Sequence, residues 1–341
     1  MIKVLLDGSL NFYRANLHCH STISDGKKSP AELKEFYRSH GYSAIAFTDH
    51  ETFIPHNDLT DDTFVALNGV EYSINQDGWG PTRKVCHVCM VAKDKQNRTD
   101  PFFRAAPYSA EKLKPWLDRI DNDLAEPGIP RVYDPEFISD FMKKGHEKGF
   151  FVTYNHPVWS LENYPYYSKY SGMDAMEIVN YASIVEGWDD DNGHCYDDLL
   201  NLGNRIYAVA TDDNHNHIPD DSARCDSFGG YTMIAAPELS YEALIKALEE
   251  GSFYASSGTS THVGPEIKSI VMEDGRVSIE TSPARSIYLI TSTRSSRSAY
   301  PNPGELISSA DFGLIDGEVW FRFVVVDNDG YKAYSNAYFL K

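Results

Sequence analysis

With 341 residues, 42% of them hydrophobic and 13% aromatic, the chain has material for one large folded domain and a smaller one, which excludes general disorder. A formal charge of -19 argues against a nucleic-acid or anionic-membrane surface, since either needs clustered lysine and arginine. The five cysteines, scattered at 19, 86, 89, 195 and 225, do not fit a disulfide framework, and no stretch approaches the roughly 20 apolar residues of a membrane span.

The N-terminal apolar run in MIKVLLDGSL is too short for a signal peptide and no small-residue cleavage site follows it, so a cytoplasmic location is expected. In NLHCHSTISDG, residues 16–26, a strand over 13–18 would turn His18 and His20 to one face and Cys19 to the other. Two imidazoles at a strand end suit a divalent transition metal. Ser29 and Pro30 then start a helix as N-cap and first helical residue; Ala31 to His40 continue it and Gly41 ends it. Apolar runs at 43–47, 64–67, 85–91, 151–154, 175–179 and 206–210 read as strands, with helices over 109–120, 135–147, 194–202 and 241–250. This alternation predicts an α/β architecture on a parallel sheet, either a barrel or an open sheet. Residues 95–130 read as an insertion over one rim. Beyond Gly251 the pattern changes to short strands at 267–271, 276–280, 286–291, 318–327 and 331–340 between Asp-Gly, Ser-Pro and Asn-Asp-Gly turns, which predicts a small antiparallel β-sandwich.

The remaining histidines and acids fall close to strand ends. Asp49 and His50 follow SAIAF, Glu71 follows VALNGV, His87 lies in KVCHVCMV, His156 follows FVTYN, and Asp212, Asp213 and His215 follow IYAVAT. In parallel α/β folds that rim gathers loops from separate strands and is where sites are built. Each residue alone also has an ordinary structural role: Thr-Asp-His caps helices, Asn-His-Pro makes turns, and a histidine within a strand is commonly a satisfied core residue. Six strand ends offering such donors together point to a metal cluster. The Cys86 to Cys89 spacing is not read as a redox pair or zinc knuckle, because strand alternation sends the two thiols to opposite faces.

His-x-His, Ser-Asp-Gly, Thr-Asp-His, Gly-x-Glu, an in-strand histidine, Asn-His-Pro and Asp-x-His, in that order over about residues 13–262, resemble the PHP (polymerase and histidinol phosphatase) family of metal-dependent phosphoesterases. The resemblance implies a distorted (β/α)7 barrel over 1–262, with an accessory β-sandwich over 263–341. It implies three divalent ions, of zinc, manganese or iron. His18, His20, Glu71 and Asp213 would hold one and carry catalysis; Glu71 would bridge to a second held by His87 and His156; Asp25, His50 and His215 would hold the third. Asp-x-His spacing selects Asp213 as the ligand and leaves Asp212 in support.

Such a site would use metal-activated hydroxide against a phosphate ester, and no Gly-x-Ser-x-Gly nucleophile competes. His217 could protonate a leaving group or be an ordinary loop histidine; Arg224 could meet a phosphate or be an ordinary surface loop arginine, and Trp159 and Tyr72 could line the pocket. His40, His56, His146, His194 and His262 are read as structural or surface residues. The expected substrate is a small-molecule or nucleotide phosphate ester, without stable binding of duplex nucleic acid or membrane. The alternatives are an amidohydrolase-like metal-dependent hydrolase of a non-phosphate substrate, or a non-enzymatic binding protein. A carboxylated lysine would favour the amidohydrolase, and no lysine sits at a strand end here.

Overall fold

The computed structural model describes residues 2–78, 80–108 and 111–340. Ser109 and Ala110, the start of the helix expected over 109–120, lie outside the described residues. The strands are β1 (Ile2–Leu6), β2 (Asn11–Asn16), β3 (Ala44–Phe47), β4 (Val65–Asn75), β5 (Val85–Ala92), β6 (Phe150–Tyr154), β7 (Ala175–Asn180), β8 (Tyr207–Thr211), β9 (Gly230–Ala236) and β10 (Phe253–Ser257). They continue with β11 (Ile267–Glu273), β12 (Arg276–Ala284), β13 (Ser286–Thr291), β14 (Arg297–Ala299), β15 (Ile307–Gly313), β16 (Trp320–Val326), β17 (Lys332–Ser335) and β18 (Tyr338–Phe339). The helices are α1 (Pro30–Ser39), α2 (Ala105–Tyr108), α3 (Pro135–Glu147), α4 (Tyr164–Tyr167), α5 (Tyr181–Glu186), α6 (Gly193–Asn201) and α7 (Tyr241–Glu250).

The fold is mixed α/β. Strands β2, β3 and β4 run parallel, as do β6, β7 and β8, but β5 lies antiparallel to both β4 and β6. That departs from the expected parallel sheet, and the cause is local. Only residues 76–84 join β4 to β5, fewer than the dozen or more that a parallel crossover needs. At the other edge, Thr232 Oγ1 on β9 accepts from Ala210 N of β8 at 3.2 Å and donates to Ala210 O at 3.0 Å. Just past the ends of β2 and β8, Cys19 and Asn214 form a parallel bridge, and His20 N donates to Asn214 O at 3.1 Å.

Helix starts follow the chemistry of their caps. Ser29 and Glu32 make a reciprocal capping box before α1, with Pro30 in its first turn, and α1 buries Leu33 and Tyr37 against Ile45 and Phe47 of β3. Ser240 caps α7, and Gly251 ends it in the left-handed conformation. Leu244, Ile245 and Leu248 of α7 pack on Ala15, Ala44 and Val65. Residues 111–119 are a 3-10 helix around Pro115, which lacks the amide an α-helix requires there. Helices α2, α4 and α5 and strands β1, β9, β10, β14 and β15 were not among the elements expected from sequence.

The C-terminal strands join the rest of the chain at two places. Strand β1 pairs antiparallel with β11 in the four-stranded sheet β1-β11-β12-β15, so residues 2–6 belong with the tail rather than with the strands that follow them. Strand β17 pairs with β10, so β13, β14, β16 and β17 extend the main sheet. The two sheets enclose a common apolar core that includes Leu6, Ile270, Val277 and Ile279 from one and Leu289, Phe321, Phe323 and Val325 from the other. Among the described residues no helix is long and apolar enough to cross a membrane.

His56 is buried against the rings of Phe47 and Trp116, and neither of its nitrogens has a hydrogen-bond partner. Burial first, and Arg119 second, hold its pKa down to about 3. Between about pH 6.5 and that value the unfolded chain binds the proton and the folded chain does not, so this contribution to stability is complete above the window and lost as pH falls through it. His56→Phe should therefore flatten the pH dependence of unfolding free energy between pH 6 and 4 by up to about 1.4 kcal/mol per pH unit. Urea unfolding at three pH values measures the slope; an identical slope in the variant would refute the assignment.

Candidate metal centre

The cluster is assembled from loops that leave the strands together. Asn16, at the end of β2, accepts from Asp212 N at 3.0 Å and His18 N at 3.3 Å through Oδ1, which ties the His18 segment to the end of β8. Asp213 N then donates to His18 O at 3.0 Å. His50 bridges in parallel to Glu71, which lies inside the long β4 rather than past its end. Asp25 sits in a turn held by Asp49, whose carboxylate accepts from Ser21 N at 2.8 Å and Ser24 N at 3.0 Å. Gly26 closes that turn, and a Cβ there would lie 2.3 Å from His20 O. His156 and Asp213 occupy positive φ, 24° and 54°, a costly conformation for residues with side chains.

All nine expected ligands converge. His18 Nε2 lies 3.2 Å from both Glu71 Oε1 and Asp213 Oδ1; His20 Nε2 lies 3.0 Å from Asp213 Oδ1 and 3.4 Å from Glu71 Oε2. Glu71 Oε1 also approaches His87 Nδ1 at 3.0 Å and His156 Nε2 at 3.3 Å. On the outer side, Asp25 faces His215 Nε2 at 3.5 Å, His50 Nε2 at 3.6 Å and His20 Nδ1 at 4.0 Å. The donor atoms of His18, His20 and Asp213, of Glu71, His87 and His156, and of His20, Asp25, His50 and His215 each lie within 4.8 Å of one another, the separation one ion can span. His20 thus faces the outer group as well as the inner one, which sequence reading did not anticipate.

The chemistry of the donors fits divalent ions. His20 Nδ1, His50 Nδ1, Glu71 Oε2 and Asp213 Oδ1 are buried with no hydrogen-bond partner, and such an orphan costs about 1–3 kcal/mol unless something coordinates it. Burial would raise the Glu71 carboxyl, but His18, His87 and His50 outweigh it and keep it well below the usual range; Asp213 is lowered likewise by His18 and His20 against its own burial. Burial, with His215 and His50 nearby, holds His20 down to about 3, so it is a neutral donor. Cys89 lies close to His18 and Glu71, but burial pushes its thiol up to about 11 and Asn155 Nδ2 donates to its sulfur at 3.1 Å, so nitrogen and oxygen remain the donors.

A second layer of polar groups orients the first. Glu177, in the middle of β7 and fully buried, pairs through Oε1 with His18 Nδ1 at 2.7 Å. It also accepts from Thr211 Oγ1 at 2.7 Å and His156 N at 2.9 Å. Sequence reading missed it; the signal was a lone acid within the apolar run AMEIVN, a position that demands a partner. Ser73 Oγ fixes His87 Nε2 at 3.0 Å, and Ser160 Oγ fixes His156 Nδ1 at 3.1 Å. Asp212 points away from the cluster and accepts from the backbone amides of Phe228, Gly229 and Gly230, a supporting role.

A cleft of about 380 Å³ opens over the cluster. Asp25, His50, Glu71, His87, His156, Asp213 and His215 reach it from below, and Trp159, Val185, Glu186, His217, Ile218 and Arg224 wall it. His217, Arg224 and Trp159 thus line the cleft, His217 and Arg224 from exposed positions in one loop. Tyr72 does not: it is buried in the core against Phe102 and Phe141, with its hydroxyl bonded to Asp100. The other histidines stay apart from the cluster, His262 for instance pairing with Asp327 in the tail.

No family model matches the chain. Over 128 residues it is 33% identical to a 5'-3' exoribonuclease of Haemophilus influenzae, a stretch that is 35% of this chain and 42% of that protein; the chain thus spans less than half the length of the curated relative it matches. Among solved structures it is similar to a two-domain protein of Bacteroides vulgatus containing a predicted PHP-like metal-dependent phosphoesterase, at 16% identity over 98% of this chain and 96% of that one, with a TM-score of 0.43. It is also similar to an amidohydrolase of Chromobacterium violaceum bearing sulfate and no metal, at 17% identity over 62% of this chain and 93% of that one, with a TM-score of 0.35.

Glu177→Gln should weaken metal binding about 10- to 100-fold, because the ring of His18 loses its anionic anchor while keeping its place. Competition against a chelator of known affinity measures this, and unchanged affinity would remove Glu177 from its positioning role.

Proposed function

We propose that the chain is a metal-dependent phosphoesterase of the PHP family, acting at a multinuclear site on a distorted seven-stranded barrel. The barrel reading takes β2 to β8 as one ring, rejoined through the Cys19 and Asn214 bridge, with residues 263–341 and β1 as an accessory sandwich. One observation carries the functional reading. Nine imidazoles and carboxylates from widely separated segments, Glu71 and Asp213 among them, converge at one place, and four of their buried atoms make no hydrogen bond within the protein.

His18, His20, Glu71 and Asp213 would hold a first ion; Glu71, His87 and His156 a second; Asp25, His50 and His215 a third, with zinc, manganese and iron all suited to these donors. Bound divalent ions supply Lewis acidity at a phosphoryl oxygen and make hydroxide available near neutral pH. The chain's own groups do the rest. Glu177 holds His18 with Nε2 turned inward, and Asp49 keeps the Asp25 turn in place. The Arg224 guanidinium, on the cleft wall, pairs with non-bridging phosphate oxygens. An oxygen from water bonds to phosphorus as the ester P–O bond breaks, and His217 passes a proton to the departing oxygen.

The described residues lining the cleft include no lysine, so the carboxylated lysine of many amidohydrolases has no counterpart among them, which favours the phosphate reading over the amide one. The likeness to an exoribonuclease supports a nucleotide-type ester. The cysteines at 19, 86, 89, 195 and 225 are free and buried, in keeping with a reducing compartment such as the cytoplasm.

Turnover should be seen within a panel of phosphomonoesters, read as released phosphate, and phosphodiesters, read as the released alcohol, and should vanish on chelation and return with manganese or zinc. His20→Ala or Glu71→Gln should lower it by more than about 100-fold, a larger loss than removing a supporting partner causes. Full activity in either variant, or turnover indifferent to chelation, would overturn the reading.

A further inference from the structure

Next to the metal cleft lies a second groove of about 300 Å³, lined by Arg83, Val85, Trp159, Leu161 and Trp188 together with Gly80 and Pro81. Trp159 lines both cavities, and its indole is 5.1 Å from the ring of His156 and 5.6 Å from that of His87. Trp159 and Trp188 are 37% and 39% exposed, unusual for the largest apolar side chain.

Charge divides sharply between the two cavities. The cleft carries five carboxylates, Asp25, Glu71, Glu186, Asp213 and Asp226, beside Arg224 and its histidines, whereas the described residues lining the groove include Arg83 and no carboxylate, in a chain of formal charge -19. The wall of the groove that carries Trp159 is held by backbone hydrogen bonds. The turn carrying both His156 and Trp159 is closed by Ser160 N to His156 O at 3.1 Å and Glu162 N to Pro157 O at 2.9 Å. Val85 N donates to Ser160 O at 3.2 Å and fastens that turn to the start of β5.

We infer that this groove receives the nucleobase of the substrate, stacked on Trp159 and Trp188 beside Arg83, while the phosphate ester lies over the metal cluster. The inference deepens the phosphoesterase reading and rests on it for the position of the phosphate. A planar ring without net charge suits two indoles and a guanidinium, since every base offers a π-face to stack. Continuity through Trp159 sets the order along the ligand: base, sugar, then phosphate at the ions.

The test follows tryptophan fluorescence of the full chain as purified while adenosine, adenosine 5'-monophosphate or ribose 5-phosphate is added. Adenosine should quench saturably with no phosphate present, and the monophosphate should bind at least about tenfold more tightly than ribose 5-phosphate. In Trp188→Ala and in Arg83→Ala that ratio should fall towards one, and Trp188→Phe should restore most of it. Equal binding of the two phosphates to the wild-type chain, or an undiminished ratio in Arg83→Ala and in a Trp188→Ala that melts like wild type, overturns the inference. Should Trp188→Ala not fold, Arg83→Ala and Trp188→Phe decide. Saturable adenosine quenching without phosphate release from any ester would uphold the groove and sink the phosphoesterase reading; phosphate release without preference for the base would do the reverse.

Discussion

Everything at this site is arranged around one buried carboxylate. Glu71 has no exposed surface, and its two oxygens face five imidazoles, those of His18, His87 and His156 on one side and His20 and His50 on the other. A charge so deeply withdrawn from water is tolerated only where other groups replace its hydration. Those groups come from four different stretches of chain, so the partners that Glu71 requires also decide which loops must meet. The same requirement extends outwards. Glu177 answers His18, Ser73 answers His87 and Ser160 answers His156, so each ring is held by one nitrogen and offers the other.

The residues that cluster were legible in the sequence because few side-chain types suit a metal, and a strand-loop rhythm places them at predictable points. His18, His20, Asp25, His50, Glu71, His87, His156, Asp213 and His215 all reach the cluster for that reason. Glu177 escaped because its environment is set by tertiary packing: within AMEIVN nothing local tells a ligand-orienting acid from a misplaced one. The reversal of β5 escaped for a related reason, since apolar alternation reports burial and is blind to strand direction. Strand β15, with the exposed sequence ISSADFG, has too little apolar contrast to stand out. Tyr72 was misplaced because its strand neighbour Glu71 faces the cluster, and the next residue along a strand faces the opposite side.

Backbone strain concentrates where the site needs it. His156 precedes a proline and still adopts φ 24°, and Asp213 adopts φ 54°, yet both are pinned by bonds from independent directions. The amide of His156 donates to Glu177, while that of Asp213 donates to the carbonyl of His18. Conformations of this kind persist when their surroundings leave no cheaper choice, and they aim a side chain where a relaxed strand could not. The rigid turn after His156 also fixes Trp159, so the metal cleft and the groove beside it share one piece of scaffold.

The β10 and β17 ladder bears on how this molecule can vary. Its tail is not hung from a flexible tether: Asn336 Nδ2 donates to the carbonyls of Gly251 and Phe253, Ala208 N donates back to Asn336, and Arg322 grips Asp197. With β1 paired to β11 as well, the tail is tied to the rest of the chain at two separate sheets. Cutting this tail away would leave an unpaired strand edge at β10 and another at β1, so it shares its stability with the rest of the chain.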